Sequence, residues 1–426
     1  MTKVLIERSL KEQERIKSLL KGGESLRVDG RLSYRYTDAF GKRKTIYAKS
    51  ISELRKKERE LDNQQKAGLV GGAETLTLNA MWDKYYGDGS KWKNSTAVNY
   101  KYLWETYIRD SFGKRKLNTI LYTDVYDFYM YLHKERGLQV NTLESIHTLI
   151  HPTLTLAKKN LLISDNPASG MMAQIKKDTH WKKPKRPAVS NRDYTLFMET
   201  VANTPIFNKW YDFFIILFGT GCRIGEHIGI TWEDVDFINH EINMNHQLVY
   251  REDKETGKFK FYISDLKKDA SERIIPMTEE VEEAFKRIKD YQDVYGRPNL
   301  WLEYEGKIYK DFVFYNENNN FHHPGSVNRS ITTICQWTND RIERIAKDNN
   351  TEPVYIKNFS PHQARHTFAS ELCRNSNSLQ DLQCIKAIMG HQSIETTLDI
   401  YAEVTNQEKA NFLNKIKQTK SLNATV

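Results

Sequence analysis

Two segments near the C-terminus hold the residue types that could act on a phosphate. They read PHQARHTFAS and, after a spacer, IKAIMGHQSIETTLDIY, which ends at Tyr401. His362 and Arg365 are three residues apart, so a helix would project both side chains from one face. Gly390 interrupts the second apolar run, which predicts a helix C-cap directly before His391.

Such a set is suited to displacement at phosphorus. Guanidinium and imidazole groups donate hydrogen bonds to the oxygens of a pentacoordinate phosphate. A tyrosine beside them is a candidate nucleophile, although its usual pKa of about 10 requires local positive charge or a base. The sequence has no phosphate-binding glycine loop, paired carboxylate cluster or zinc-ligand spacing. We therefore predict chemistry without a metal or a cofactor.

Length and composition predict two or three globular domains. The chain has 426 residues, of which 39% are hydrophobic and 28% charged. Its longest apolar runs, such as residues 213–218, are far shorter than a membrane span, and the charged N-terminus lacks the apolar core of a signal peptide. The four cysteines show no CxxC spacing. These features predict a cytoplasmic protein with no membrane partner.

The net charge of +9 is concentrated in two places. Residues 1–70 hold 18 Lys and Arg against 10 Asp and Glu, and a second basic cluster covers residues 176–186. Localised positive charge indicates contact with a polyanion, and double-stranded DNA is the expected partner. A basic surface that serves solubility explains either cluster nearly as well.

The first basic region predicts a small sheet followed by a helix. Asp29-Gly30 signals a hairpin turn, and Ser50 with Glu53 predicts a capping box that opens a helix through about residue 65. The expected strands cover residues 26–28, 32–37 and 44–48. Alternation along the middle strand predicts that its basic and hydroxyl side chains, including Ser33, face solvent. A sheet with such a face can enter the DNA major groove. The predicted DNA contacts are Arg31, Arg35, Lys42 and Lys44. A small interaction module with another ligand is the alternative.

Composition divides the rest of the chain into further regions. Residues 75–175 are helical in pattern and rich in Tyr and Trp, and residues 191–426 are mixed α and β. Strands are expected in the latter at residues 240–250, 259–264 and 273–276. Residues 176–190 are basic and broken by prolines, which predicts an interdomain linker that follows a DNA groove, or else a solvated tether. The linker residues predicted to bind DNA are Lys176, Lys177, Lys182, Lys183, Lys185 and Arg186.

Four segments of the C-terminal region together resemble the tyrosine recombinases of the phage integrase family. TGCRIGEHIGITWEDVDF (220–237) resembles the first arginine box of that family, and LKKDASERIIPM (266–277) resembles its lysine β-hairpin. SPHQARHTFAS (360–370) resembles the His-x-x-Arg box, and MGHQSIETTLDIYAEV (389–404) the nucleophile box. Four boxes in order make the resemblance specific, and the whole chain is most similar to integrases of conjugative transposons.

The resemblance implies six catalytic residues: Arg223, Lys267, His362, Arg365, His391 and Tyr401. It implies that Tyr401 attacks a DNA phosphodiester to form a 3′-phosphotyrosine while the two arginines hold the phosphate oxygens. His362 is the expected base, His391 donates to the phosphate, and Lys267 protonates the departing 5′ oxygen.

Two of these assignments have alternatives. Lys268 stands where the family usually has Thr, so either lysine could be the acid, and the position four residues before Ser271 favours Lys267. Taken singly, the arginines could be structural ion-pair residues, because Glu226 lies three residues after Arg223.

The resemblance also implies an architecture and an assembly. The fold expected is multidomain: a three-stranded sheet plus helix that binds arm-type DNA sites (1–70), an all-α, SAM-like core-binding domain (75–175), the linker (176–190), and a mixed α+β, mainly helical catalytic domain (191–426) whose C-terminal helix docks in trans. A homotetramer would integrate and excise a mobile element through a Holliday junction in the bacterial nucleoid, and an excision accessory protein is a candidate partner. The alternatives are a type IB topoisomerase, expected as a monomer, and a non-catalytic DNA-binding regulator.

Overall fold

The computed structural model describes residues 14–37, 43–66, 76–86, 92, 94–182, 184, 187–253, 256–266 and 272–402. The chain divides into two compact units, Met1–Pro184 and Lys185–Val426. Within the described residues, no helix is long and apolar enough to cross a membrane.

The first unit begins with an antiparallel sheet and a helix. The sheet has the order β1-β2-β3, with the strands β1 (Glu24–Leu26), β2 (Leu32–Thr37) and β3 (Arg43–Ala48), and the helix is α1 (Ile51–Lys66). Glu53 N–H donates to Ser50 Oγ at 3.2 Å, and the Glu53 carboxylate accepts from Lys49 N–H at 2.9 Å, so the predicted helix start is confirmed. Leu32, Ala48 and Leu54 form the buried core between sheet and helix.

Strand pairing separates the two faces of this sheet. The pairs Leu32–Ala48, Tyr34–Ile46 and Tyr36–Lys44 alternate with the pairs Ser33–Tyr47, Arg35–Thr45 and Thr37–Arg43. The first set lies on the face that packs against α1, and the second set lies on the opposite face, which we call the outer face.

Two expectations for this sheet were wrong. The first strand lies earlier than predicted, at Glu24–Leu26, because the turn already begins at Arg27, whose carbonyl accepts from Gly30 N–H at 3.0 Å. Ser33 is on the outer face but only 4% exposed, since its hydroxyl lies 2.8 Å from the hydroxyl of Ser25 on the neighbouring strand.

The remainder of the first unit is helical. Its described helices are α2 (Leu78–Tyr85), α3 (Asn94–Leu103), α4 (Tyr122–Lys134), α5 (Val140–Lys159) and α6 (Met171–Asp178). Trp82 and Trp104 stack at 4.1 Å in the core, and Trp104 Nε1 donates to Asn79 Oδ1 at 3.1 Å. Most aromatic side chains described here pack in or against this core.

The expected linker begins inside a helix. Helix α6 continues to Asp178, so residues 176–178 are helical and not extended tether. At the other end, Val189 is buried and its N–H donates to Thr367 Oγ1 at 2.8 Å, while Ser190 caps the next helix. Helical periodicity continues through the basic residues, so composition alone places the start of the linker too early.

The second unit surrounds one apolar helix, α9. The helices up to the first arginine box are α7 (Asn191–Asn203), α8 (Pro205–Asn208), α9 (Tyr211–Thr220) and α10 (Ile224–His227). All residues of α9 from Phe213 to Phe218 are buried. A helix that is apolar on every side must be covered on every side, so α9 fixes the position of the chain that follows it.

Short strands and further helical segments complete the described part of the second unit. The strands are β4 (Val235–Asp236), β5 (Glu241–Met244), β6 (His246–Glu252), β7 (Phe259–Asp265), β8 (Arg273–Pro276), β9 (Trp301–Tyr304) and β10 (Lys307–Lys310). The helices are α11 (Glu279–Tyr295), α12 (Pro324–Asp348), α13 (Pro361–Arg374) and α14 (Leu379–Met389), and residues 394–402 are also helical. The run predicted as strand at residues 240–250 breaks at Asn245, which donates to Asp234 at 2.9 Å, so β5 pairs with β4 and β8 while β6 pairs with β7.

Candidate active site

Helix α14 ends on three arginine side chains. Gly390 is the left-handed C-cap of this helix, with φ of 58°, as predicted. Consecutive carbonyl oxygens at the helix end accept hydrogen bonds from Arg273 Nε (Ile388, 2.7 Å), Arg365 Nη2 (Met389) and Arg223 Nη2 (Gly390, 3.3 Å). These carbonyls lack partners within the helix and carry its partial negative charge, so they are suited to hold cations.

The turn after α9 positions both arginines of the predicted catalytic set, Arg223 and Arg365. Gly221 ends α9 with φ of 58°, and a Cβ there would lie 2.5 Å from the ring of Phe368 on α13. This close approach brings the Gly221 carbonyl to Arg365, whose Nη1 donates to it at 2.7 Å. Arg223 follows as the N-cap of α10, so both predicted arginines meet at this turn.

Glu226 joins two of the arginines. Its Oε1 accepts from Arg223 Nη1 at 2.6 Å, and its Oε2 accepts from Arg273 Nη2 at 2.8 Å. Burial alone would raise the pKa of the Glu226 carboxyl, but the charges of Arg273 and Arg223 outweigh it, so that pKa lies below its usual value. Glu226 is therefore an ionised, 1% exposed carboxylate, and its predicted ion pair with Arg223 is confirmed.

The two predicted arginines differ in exposure. Arg365 is only 4% exposed, and burial together with the charge of Arg223 lowers the pKa of its guanidinium to about 10. The Arg223 side chain is 33% exposed. Arg223 thus presents its free N–H groups to solvent, while Arg365 sits beneath it as a desolvated cation.

His391 begins the turn after α14. Its N–H donates to the Lys386 carbonyl at 3.0 Å, and its Nδ1 lies 3.0 Å from the hydroxyl of the fully buried Thr397. Burial, and then the charges of Arg365 and its neighbours, lower the pKa of the His391 imidazole to about 4. The ring is therefore neutral at physiological pH, and its contact with the Thr397 hydroxyl fixes its orientation.

His362 and Tyr401 complete the described part of the predicted set. His362 lies exposed on the first turn of α13, and its charge is among those that lower the pKa of His391. Tyr401 lies in the helical residues 394–402 and packs, half-buried, against an apolar cluster that includes Cys373 and Met389. The helix that ends on the arginines and the helical turn that carries the tyrosine thus share one core.

Lys267 and Lys268 lie outside the described residues. The strands on either side are described: β7 ends at Asp265, and β8 begins at Arg273. The choice between the two lysines stays a prediction.

Comparison with known proteins identifies the family. Residues 189–408, more than half of the chain, match the phage integrase family. The chain belongs to the phage integrase family. Residues 8–65 match the DNA-binding domain of the Tn916 integrase, and residues 77–133 match the N-terminal SAM-like domain of phage integrases. The predicted resemblance to tyrosine recombinases of conjugative transposons is confirmed.

Relatives of this integrase-family chain match it over most of its length. The transposase of transposon Tn916 from Enterococcus faecalis is 28% identical over 423 residues, which cover 95% of this chain and 97% of the relative. The ICEBs1 integrase of Bacillus subtilis is 21% identical over 75% of this chain and 76% of its own. A structure of the Tn1549 transposon integrase with circular intermediate DNA covers 79% of this chain and all of its own, with a TM-score of 0.64 at 24% identity. The multidomain fold expected for a tyrosine recombinase is confirmed.

The residues predicted for DNA binding on the integrase sheet are not all together. Arg35 lies exposed on the outer face, whereas Lys44 lies at the edge of the opposite face, and Lys42 lies outside the described residues. Arg31 precedes β2 and pairs with Asp29 at 2.7 Å. Side chains alternate between the two faces of the sheet, and the strand register places Arg35 and Lys44 on opposite faces. These two side chains therefore do not form one surface.

The predicted basic residues of the linker also differ from one another. Lys176 forms an ion pair with Glu144 and lies 4.6 Å from the ring centroid of Trp181, so it is engaged within the helical unit. Lys177 and Lys182 are exposed. Lys183, Lys185 and Arg186 lie outside the described residues.

Sequence reasoning missed two groups of residues. Thr397 bonds to the predicted His391, and Arg273 bonds to Glu226, the partner of Arg223, yet no spacing rule marks either one. On the outer face, the guanidinium of Arg27 lies 5.3 Å from the ring centroid of Tyr47. Strand alternation in β3 could have indicated Tyr47, because it places Tyr47 on the face opposite Ile46.

Proposed function

We propose that this chain cleaves and rejoins DNA through Tyr401, and that it thereby integrates and excises a mobile element. The observation that carries the proposal is the arginine cluster at the end of α14, where consecutive backbone carbonyls hold three guanidinium groups. Such a cluster offers fixed positive charge before any phosphate arrives, which is the arrangement that stabilises a transition state. Tyr401 packs on the core that holds the end of that helix.

In the proposed step, Tyr401 Oη attacks the phosphorus of a DNA phosphodiester. A bond forms between Oη and phosphorus, and the bond from phosphorus to the 5′ oxygen breaks. His362 accepts the phenol proton, and Lys267 donates a proton to the departing 5′ oxygen. The product is a 3′-phosphotyrosine, so attack by another 5′ hydroxyl rejoins a strand with no other source of energy.

Arg223 and Arg365 are proposed to bind the two non-bridging oxygens. An arginine presents a planar fork of N–H donors that matches these oxygens. Loss of one preorganised donor of this kind raises a barrier by about 2.7–4 kcal/mol. Neutral His391 is proposed as a further donor: a hydrogen bond from the Thr397 hydroxyl to Nδ1 leaves the ring proton on Nε2, which is then the donor to phosphate.

The other domains are proposed to bind DNA at separate sites. The sheet domain (1–70) would read arm-type sites through its outer face, as supported by the Tn916-type match of residues 8–65. The helical domain (75–175) and the catalytic domain (191–426), joined by the linker (176–190), would enclose the crossover site. A homotetramer in the nucleoid, strand exchange through a Holliday junction, trans docking of the C-terminal helix and an excision accessory protein belong to the same proposal.

The experiment is covalent trapping of the full-length chain on DNA. A nicked duplex made from the end of the mobile element that carries this gene is incubated with the protein in EDTA and resolved on a denaturing gel. We expect a protein–DNA adduct from the unaltered chain and none from Tyr401→Phe. Tyr295→Phe is a matched control, because Tyr295 is exposed on α11 of the same unit.

The outcomes separate the alternatives. Adduct together with strand-transfer products supports recombination, whereas adduct with relaxation of supercoiled DNA and no transfer supports the topoisomerase hypothesis. DNA binding without adduct supports the non-catalytic regulator. Adduct that persists in Tyr401→Phe would overturn the assignment of the nucleophile.

A further inference from the structure

We propose that Arg273 is a positioning residue that orients Arg223 for the phosphate, an inference that rests on the cleavage chemistry proposed above. Arg273 acts through two partners, the Glu226 carboxylate and the carbonyl at the end of α14. It does not itself touch the DNA.

Arg273 lies deeper in the protein than Arg223, the arginine that it is proposed to orient. Its side chain is only 4% exposed, against 33% for that of Arg223. Both guanidinium groups bond to Glu226, that of Arg223 to Oε1 and that of Arg273 to Oε2. Arg273, Glu226 and Arg223 therefore form a chain of three charged side chains. Arg273 is its buried (inner) cation, and Arg223 is its solvent-facing (outer) cation.

Arg273 determines the position of the Arg223 guanidinium through Glu226. Glu226 is buried, and a buried carboxylate needs compensating charge and hydrogen bonds on both oxygens. Arg273 Nη2 and the backbone N–H of Arg223 both donate to Oε2, at 2.8 and 2.9 Å, so the Arg223 guanidinium spends one N–H at Oε1 and one at the Gly390 carbonyl. A guanidinium has five N–H donors, so three remain for the phosphate. Without Arg273, Glu226 would draw Arg223 inward and consume more of those donors.

A second contact links Arg273 to the end of α14. Arg273 Nε donates to the Ile388 carbonyl at 2.7 Å, one and two residues before the carbonyls that hold Arg365 and Arg223. A Cβ on Gly390 would lie 3.1 Å from Arg273 Cδ, so the side chain packs closely under the helix cap. Arg273 thus fixes the same helix end from which His391 continues.

The test uses Arg273→Lys in the full-length chain. Lysine keeps the charge but loses the planar fork that reaches Glu226 and the Ile388 carbonyl together. Adduct formation on the nicked element-end duplex is timed with enzyme in excess, and DNA affinity and thermal unfolding are measured in parallel. We expect cleavage to slow by about 10- to 100-fold, the size of effect that a misplaced catalytic group produces, with DNA affinity unchanged within about twofold. Arg273→Gln, which keeps a donor but no charge, should lose at least as much.

Arg287→Lys is the matched control. Arg287 also holds a carboxylate with two N–H groups, at 2.9 and 2.6 Å from Asp212 Oδ1, but it lies on α11, and within the described residues its hydrogen bonds go to Asp212 and not to the end of α14. Its cleavage rate should equal that of the unaltered chain within about twofold.

A chemical readout separates positioning from general structural support. A methylphosphonate at the cleaved position removes one charged non-bridging oxygen, so the alignment of Arg223 should matter less there. We expect the defect of Arg273→Lys to shrink at least about fivefold on this substrate, as the defect of Arg223→Lys should, whereas a folding defect would slow both substrates equally. Combining Arg273→Lys with Glu226→Gln should add little to the larger single defect, because both break one chain of contacts.

The outcomes are distinct. If the unaltered chain forms no adduct, the proposed function fails. If it forms adduct and Arg273→Lys cleaves at the normal rate, the positioning role alone is wrong. Equal defects on both substrates, or loss of folding in both Arg273 variants, would make Arg273 structural and overturn the proposal.

Discussion

Two groups of arginines in this chain differ in what surrounds them. At the end of α14, Arg223, Arg273 and Arg365 are held by backbone carbonyls, and two of them are nearly inaccessible to solvent. On the outer face of the N-terminal sheet, Arg27 and Arg35 are exposed. The first group is held by hydrogen bonds to the protein, and the second group is open to solvent.

This difference indicates two uses of one side chain. A fixed cation in a desolvated site interacts strongly with the charge that develops in a transition state and needs no reorganisation. An exposed cation is screened by salt and contributes mainly to affinity. The arginines at the end of α14 should therefore respond to small changes of geometry, and the arginines of the sheet should respond to ionic strength.

The largest effect is expected from Arg365→Lys. Because lysine cannot donate to the Gly221 and Met389 carbonyls and to phosphate with one planar fork, adduct formation should fall about 100- to 1000-fold. Burial lowers the pKa of the Arg365 guanidinium from its usual range to about 10. The same burial would lower the pKa of a lysine at this position below its usual value, so residual cleavage should decline as the pH rises and the lysine loses its proton.

The measurement is the cleavage rate of Arg365→Lys between pH 6 and pH 9.5, with DNA binding followed by filter retention. Arg287→Lys serves again as the control. A rate within about fivefold of normal, independent of pH, would contradict the view that Arg365 acts as a desolvated cation.

A smaller effect is expected from Thr397→Val. The hydroxyl of Thr397 is the partner of His391 Nδ1, and valine has nearly the same shape. Loss of this contact leaves the ring free to change tautomer or to rotate, so cleavage should slow by about tenfold while DNA affinity stays constant. Timed adduct formation measures the change.

Thr338→Val is the matched control for that substitution. Thr338 is also buried in the second unit, where its hydroxyl donates to Thr200 Oγ1 at 2.9 Å, remote in sequence from the arginine boxes. Both variants should lose comparable stability, but only Thr397→Val should lose cleavage. Equal cleavage rates in the two variants would remove Thr397 from the site.

The smallest effect is expected on the sheet. Arg35→Ala should weaken binding to arm-site DNA severalfold and reduce the slope of log affinity against log salt by about 0.9, because one phosphate contact is lost. Cleavage of an isolated crossover site should not change. Lys44→Ala is the control on the opposite face and should leave both the affinity and the salt slope unaltered. Equal effects of the two variants would show that the outer face does not define the DNA surface.

The sequence predicted elements well where local signals were strong. The Ser50 and Glu53 capping box, the apolar α9 and the Gly390 C-cap were all found from residue type and spacing. It failed where a contact with a distant residue decided the outcome. Asn245 breaks a run of strand-like alternation because its side chain bonds to Asp234, which alternation does not register.

The candidate site was predicted in the same uneven way. Arg223, Arg365 and His391 were recognisable because their boxes have characteristic letters at fixed spacing, and Glu226 followed from Arg223 by helical spacing. Arg273 was not, since it acquires its partners only through the fold: it starts a strand 47 residues after Glu226 and lies 115 residues before Ile388. Thr397 lies only six residues after His391, but their contact spans the turn after α14, where helical spacing does not apply.

The sequence alone therefore determined the chemistry and the family: which side chains are present, on which faces of which helices, and in what order. The tertiary structure alone decided which carbonyls hold each arginine, which arginine is buried, and that Arg35 and Lys44 face opposite sides of the sheet. The physical reason is that helix periodicity and caps depend on neighbours within a few residues. Burial, charge pairing and the convergence of donors on one helix end depend on residues that only folding brings together.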